Sequence, residues 1–160
     1  MFDHHTPAAA NTGARLAAPF DVTFTDVRGG VELRYVSGEQ VVRRLNEVLG
    51  VSGWSFRILR HDIHGEADEA WALGELVAEI DGRTVVRQQF GSQKLKRSRS
   101  TGAPLDIGFD LKGAATDAMK KCASLLGVGL YLSRKESKDV RPVLSGAKRL
   151  SGANGGPPMR

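Results

Sequence analysis

The sequence predicts an α+β domain: a helix, a three-stranded antiparallel β-meander, and a second helix packed on the sheet. Three observations carry this. An apolar stripe at helical spacing runs through residues 38–50. Three strand-like segments follow, two of them joined by Asp81-Gly82. A second helical stripe fills about 110–126, opposite a strand face of small residues. Of 160 residues, 41% are hydrophobic, enough for one such domain with a core.

Residues 1–19 are rich in Ala, Thr and Pro without a period, and read as a flexible N-terminal tail. The core domain is placed at 20–134. VELRYV (31–36) reads as a short strand. Ser37 is positioned to cap GEQVVRRLNEVLG, where Val41, Val42, Leu45, Val48 and Leu49 form the buried stripe and Gly50 the C-cap. WSFRILRHDI (54–63) begins with Trp54, Phe56 and Ile58 on one face. In AWALGELVAEI (70–80), Ala72, Gly74, Leu76, Ala78 and Ile80 make a face that a helix can approach closely. Asp81-Gly82 is a two-residue hairpin turn leading into RTVVRQQF (83–90). Trp54, Phe56 and Phe90 are assigned to the core.

GSQKLKRSRSTGAPLDIG (91–108) reads as a basic loop. Asp110 then caps the last helix, with Ala114, Ala115, Ala118, Met119, Cys122, Leu125 and Leu126 buried and Gly127 closing it. Residues 135–160 are rich in Gly, Pro, Ser and basic residues and read as a disordered basic C-terminal tail.

The net charge is +5, and it is segregated. Residues 54–90 hold four basic and seven acidic residues, whereas 91–101 hold four basic and none acidic. From Arg134 onward there are seven basic residues and two acidic ones. Concentrated basic patches on a neutral body point to a polyanionic partner. No apolar run has the length of a membrane span, and the first 20 residues lack the order of a secretory signal. The expected location is cytoplasmic and nucleoid-associated, with no membrane contact. The single cysteine, Cys122, leaves no internal disulfide.

Two basic features are candidate sites. In TDAMKKCASLLG (116–127), Lys120 and Lys121 interrupt a helix otherwise committed to a core. Lys112, Thr116 and Lys120 line one polar edge, with Gly113, Asp117, Lys121 and Ser124 beside it. A merely solvated face would carry the same pattern, but helix-dipole complementarity explains little in mid-helix. The second feature is KLKRSRS (94–100), with Lys94, Lys96, Arg97 and Arg99. It fits a loop gripping phosphates, its serines adding neutral donors, or a loop that only solubilises.

Metal and catalytic signals are weak. His61 and His64 point to opposite faces of a strand, and Cys122 lies on a buried stripe, so no metal site is expected. GVG (127–129) lacks the Gly-Lys-Ser/Thr ending of a phosphate loop. The acidic run 66–69 fits a solvated turn, and no nucleophile sits with a base. The expectation is a non-enzyme without cofactors. Aromatic residues make up only 6%, few for a protein that holds strands by stacking. A grip on phosphates leaves bases free to pair.

YVSGEQVVRRLNEVLGVSGWSF (35–56) resembles the Tyr-x-x-Gly … Asn-Glu-x-x-Gly-x-x-Gly-Trp stretch of the Rad52 family of single-strand annealing proteins. The Asp81-Gly82 hairpin, QQFG (88–91) and FDLKGAATDAMKKCASLLGVGLYL (109–132) are similar to that family's meander and final helix. The nearest branch is that of bacterial DdrA and phage annealing proteins. The resemblance covers about 26–132. It implies an ATP-independent protein that forms a ring or open ring of identical subunits. Single-stranded DNA would run in an outer basic groove, phosphates down and bases out. Lys120 and Lys121 would form its floor, Arg28 would add a contact upstream of Tyr35, and Lys94 and Lys96 match loosely. An arginine one turn past the pair is replaced by Ser124, which implies either a looser hold on DNA or the use of Arg97 and Arg99 instead. Annealing in recombination and double-strand break repair is then the expected activity. The resemblance does not reach the region by which eukaryotic members bind a recombinase and a single-strand-binding protein, so those partners stay open. Two rivals remain: a strand- or end-protecting protein that does not anneal, and a Mg²⁺-dependent nuclease built on Asp110, Asp117 or the 66–69 carboxylates.

Overall fold

The computed structural model of the chain describes residues 11–133. Residues 1–10 and 134–160, which hold most of the two segments read as tails, lie outside the described residues. Order begins before Phe20. Helix α1 (Thr12–Ala17) is capped by Asn11 and buries Leu16. Arg44 secures it, donating to the carbonyls of Leu16 and Ala18 and lying 4.2 Å over the Phe20 ring. Six residues are too few to display a helical period, which is why the sequence hid this element.

Strands β1 (Phe24–Arg28) and β2 (Val31–Tyr35) form an antiparallel hairpin. It turns at Gly29-Gly30, both with positive φ, the backbone that a two-residue hairpin turn requires. β2 matches the expected strand, whereas β1 was not expected. Helix α2 (Gly38–Leu49) starts with a full capping box between Ser37 and Gln40 and buries Val41 and Leu45. Gly50 ends it, its N–H donating to the Asn46 carbonyl. The Asn46 side chain then accepts from the Trp54 indole at 2.8 Å. A Cβ on Gly53 would lie 2.1 Å from the Leu49 carbonyl oxygen. The Asn-Glu-x-x-Gly-x-x-Gly-Trp stretch is therefore a clasp joining α2 to the sheet.

Strands β3 (Trp54–His64), β4 (Glu69–Ile80) and β5 (Arg83–Lys94) form the expected antiparallel meander. Asp81 and Gly82 both take positive φ in the β4–β5 turn. Helix α3 (Ile107–Ser124) lies on the even-numbered face of β4, where Ala70, Ala72, Leu76 and Ala78 are buried. Glycines make the approach possible. A Cβ on Gly91 would sit 2.1 Å from the Ala118 nitrogen and 2.4 Å from the Ala114 oxygen. Ala114, Ala118 and Cys122 face the sheet as expected, and the Cys122 thiol donates to the Gly74 carbonyl. Burial pushes that thiol's pKa up, which keeps it protonated and inert.

The structure corrects several assignments. β5 continues through Lys94, and residues 97–104 close into a small hairpin, with Arg97 bridged to Pro104. The N-cap of α3 is Asp106, not Asp110. Asp110 is fully buried and accepts the Lys96 amide, so it clamps the basic loop to the helix. Leu125 is exposed, and Ala123 is buried instead. Phe90 is 57% exposed, because it pairs with Leu73 on the odd face of β4, away from α3. Its ring meets Trp71 edge to face on that side, with centroids 5.9 Å apart.

That outer face also holds Glu75, 6% exposed between neighbouring strands. It accepts from Gln88 at 2.6 Å and from Arg57 at 2.7 Å. These bonds hold its pKa below the ordinary value of 4.5. The stabilisation is full above the unfolded-chain pKa and is lost as pH falls through the lower, folded one. Acidification below about pH 4.5 should therefore lower the unfolding midpoint, and Glu75→Gln should make that fall shallower. Chemical denaturation at a series of pH values reads this directly.

Candidate nucleic-acid interface

Helix α3 presents its polar flank because its small residues are spent on the sheet. Phe109, Lys112 and Thr116 are exposed along that flank, and Lys120 follows half-buried. Lys120 sits where the hairpin base meets the helix, its Nζ 5.3 Å from the centroid of the Tyr35 ring. Gly38, at the start of α2, allows this junction, since a Cβ there would lie 2.6 Å from the Thr116 methyl. Tyr35 in turn packs on Phe24, ring centroids 5.6 Å apart.

Lys121 lies on the other side of the flank, over the β5 edge. It pairs with Asp117 at 2.9 Å, and the same carboxylate oxygen accepts the Ser92 amide at 3.0 Å. Asp117 thus aims Lys121 and partly neutralises it. Asp117→Asn keeps an acceptor for Ser92 but removes the competing charge. Its expected effect is a gain of about threefold in affinity for single-stranded DNA, the scale of one exposed ion pair, measured by fluorescence anisotropy.

The other predicted contacts form a second group at the opposite end of α3. Lys94 donates to the Ala67 carbonyl, and Lys96 lies 3.8 Å over the Phe109 ring. Arg97 is committed to Asp68 and to the Gly102 carbonyl, so it is part of the loop's scaffold. Arg99 is exposed near the loop tip. This group lies about 20 Å along the helix from Ser124, counting 1.5 Å per residue from Asp110. Within one copy of the chain, Arg97 and Arg99 thus lie far from Ser124, whose hydroxyl donates to the Lys121 carbonyl. Lys112 lies between the two groups. Arg28 ends β1 beside the hairpin turn, about 13 Å along the strand from Tyr35 at the base.

Arg87 was not foreseen. Its register opposite Leu76 places it on the helix-covered face of the edge strand β5. Gly91 touches Ala114 and Ala118 of the antiparallel α3, so Arg87 lies toward the helix's C-terminal end. Its signal was strand register, which a basic residue amid VVRQQF does not advertise.

Among the described residues no three His, Cys, Asp or Glu side chains gather into a metal site. Asp110 is buried, Asp117 is engaged by Ser92 and Lys121, and the His64 ring accepts the Ala67 amide. No helix among the described residues is long and apolar enough to cross a membrane.

Comparison with known proteins places this arrangement. No curated protein matches the chain. A family model does, over residues 11–149, spanning the hairpin, the clasp, the meander and the lysine-bearing helix. The chain belongs to the Rad52/22 family of double-strand break repair proteins.

Proposed function

We propose that the protein binds single-stranded DNA and anneals complementary strands without ATP, metal or catalytic chemistry. The observation that supports this most is the exposed flank of α3, where Lys120 and Lys121 stand on a helix locked to the sheet. Phosphates would contact these lysines, Lys112 and Arg28, with Lys96 and Arg99 extending the path. Rigidly placed cations hold the backbone and leave base edges free, which strand pairing needs. Self-association is part of the same reading. Among the described residues, strands β3 and β5 are unpaired edges of 11 and 12 residues, and Phe90 and Val86 are exposed on the outer face. A closed ring of copies would remove such edges. The affinity with the DdrA and phage branch belongs to this proposal as well.

The test uses two complementary labelled oligonucleotides, EDTA and no nucleotide, with particle mass measured in parallel. Pairing faster than the spontaneous rate, by a multi-subunit species, is expected. Tight binding without acceleration would leave a protecting protein. Loss of substrate only when Mg²⁺ is added would make it a nuclease.

A further inference from the structure

The exposed flank of α3 carries a lysine–aromatic pair at each end. At the C-terminal end Lys120 stands beside Tyr35, and at the N-terminal end Lys96 stands 3.8 Å over Phe109. Phe109 and Lys120 lie on the same side of the helix, 11 residues apart, so about 16 Å at 1.5 Å per residue. That length matches about five nucleotides of a strand held at the roughly 3.4 Å axial rise it would have in a B-form duplex. The Phe109 ring is not core: it is 48% exposed, at a helix position where a polar residue would serve. Its surroundings are rigid. Asp106 accepts the Phe109 amide, buried Asp110 accepts the Lys96 amide, and the Lys96 carbonyl accepts the Leu105 amide.

We propose that Phe109 is a base-stacking stop for a single strand running along α3, with Lys96 neutralising the adjoining phosphate. This rests on the reading of α3 as the groove floor, and adds to it a contact to a base. Lys96 covers one face of this half-exposed ring, so a base would stack on the opposite face while the ammonium meets the adjoining phosphate, the two features that hold one nucleotide of a single strand. Such a stop sets the strand's register and leaves the other bases along the helix free to pair. An acidic peptide with apolar side chains is the competing occupant. It is disfavoured because the patch lies in line with Lys112 and Lys120 and not apart from them.

The experiment compares an oligothymidylate with an abasic oligonucleotide of equal phosphate number. Both are titrated into wild type, Phe109→Ala, Phe109→Trp and Lys120→Ala/Lys121→Ala. Phe109→Ala is expected to weaken the thymidylate about tenfold and leave the abasic strand unchanged. Phe109→Trp should restore affinity, with tryptophan fluorescence quenched only by the strand that has bases. Equal weakening of both strands by Phe109→Ala would make the residue structural and overturn the proposal. Wild-type binding of both would also overturn it, and would give the patch to a protein partner. The double lysine variant keeps the two readings apart. It should weaken both strands, and if it binds them like wild type the groove itself is misplaced.

Discussion

Gly91→Val is expected to lower the melting temperature by roughly 10 °C and to remove DNA binding with it. The reason is steric and local. Even a lone Cβ at this position would lie 2.1 Å from the Ala118 nitrogen, which is backbone and cannot rotate aside. The helix would have to lift off β5, opening the packing around Ala114, Ala118 and Cys122. Overpacking of this kind costs about 3 kcal/mol where no side chain can yield. Gly65→Ala is the matched control, because a Cβ there meets nothing within 4 Å and the backbone is unstrained. Thermal unfolding of both variants checks this. A Gly91→Val protein that melts like wild type would mean that α3 is not seated on the sheet as described.

The second large effect is on binding. Lys120→Ala/Lys121→Ala is expected to fold normally, since one lysine is half-buried and the other exposed, and neither packs in the core. Its affinity for single-stranded DNA should fall roughly tenfold or more at low salt. The slope of log K against log salt should flatten by about 1.4, at about 0.7 for each phosphate that the variant no longer neutralises. Titrations at several salt concentrations give both numbers. An unchanged slope in the folded variant would take the helix out of the site.

Much of this fold was legible in the sequence because its rules are local. The Ser37 cap, the Gly50 stop and the Asp81-Gly82 turn each depend on a few adjacent residues, and each appears as expected. The small face of β4 was readable because strand alternation is strict, and α3 covers it. Elsewhere the deciding information was not local. Phe90 reads as core until the β5 register sets it opposite Leu73 on the open face. Asp110 reads as a cap until the fold brings the Lys96 amide to it. Helix α1 owes its place to Arg44, which is 28 residues from Leu16.

The candidate site divides in the same way. Lys120 and Lys121 stand out as polar interruptions of a core helix, and the structure leaves them on its outer flank. Their partners were invisible. Asp117 is one helical turn before Lys121, but only the packing of β5 shows that it also holds Ser92. Tyr35 meets Lys120 across 85 residues of chain. Arg97 reads as a free cation until Asp68 takes it, from a turn whose positive φ no composition reveals.

The central claim is that the lysine flank of α3 works as the floor of an annealing groove. The most direct measurement is the rate of pairing of two complementary oligonucleotides with wild type and with folded Lys120→Ala/Lys121→Ala, at equal DNA occupancy. The account predicts acceleration by wild type and a return toward the spontaneous rate in the variant. Equal acceleration by both proteins would contradict it, and would put annealing on another surface of the molecule.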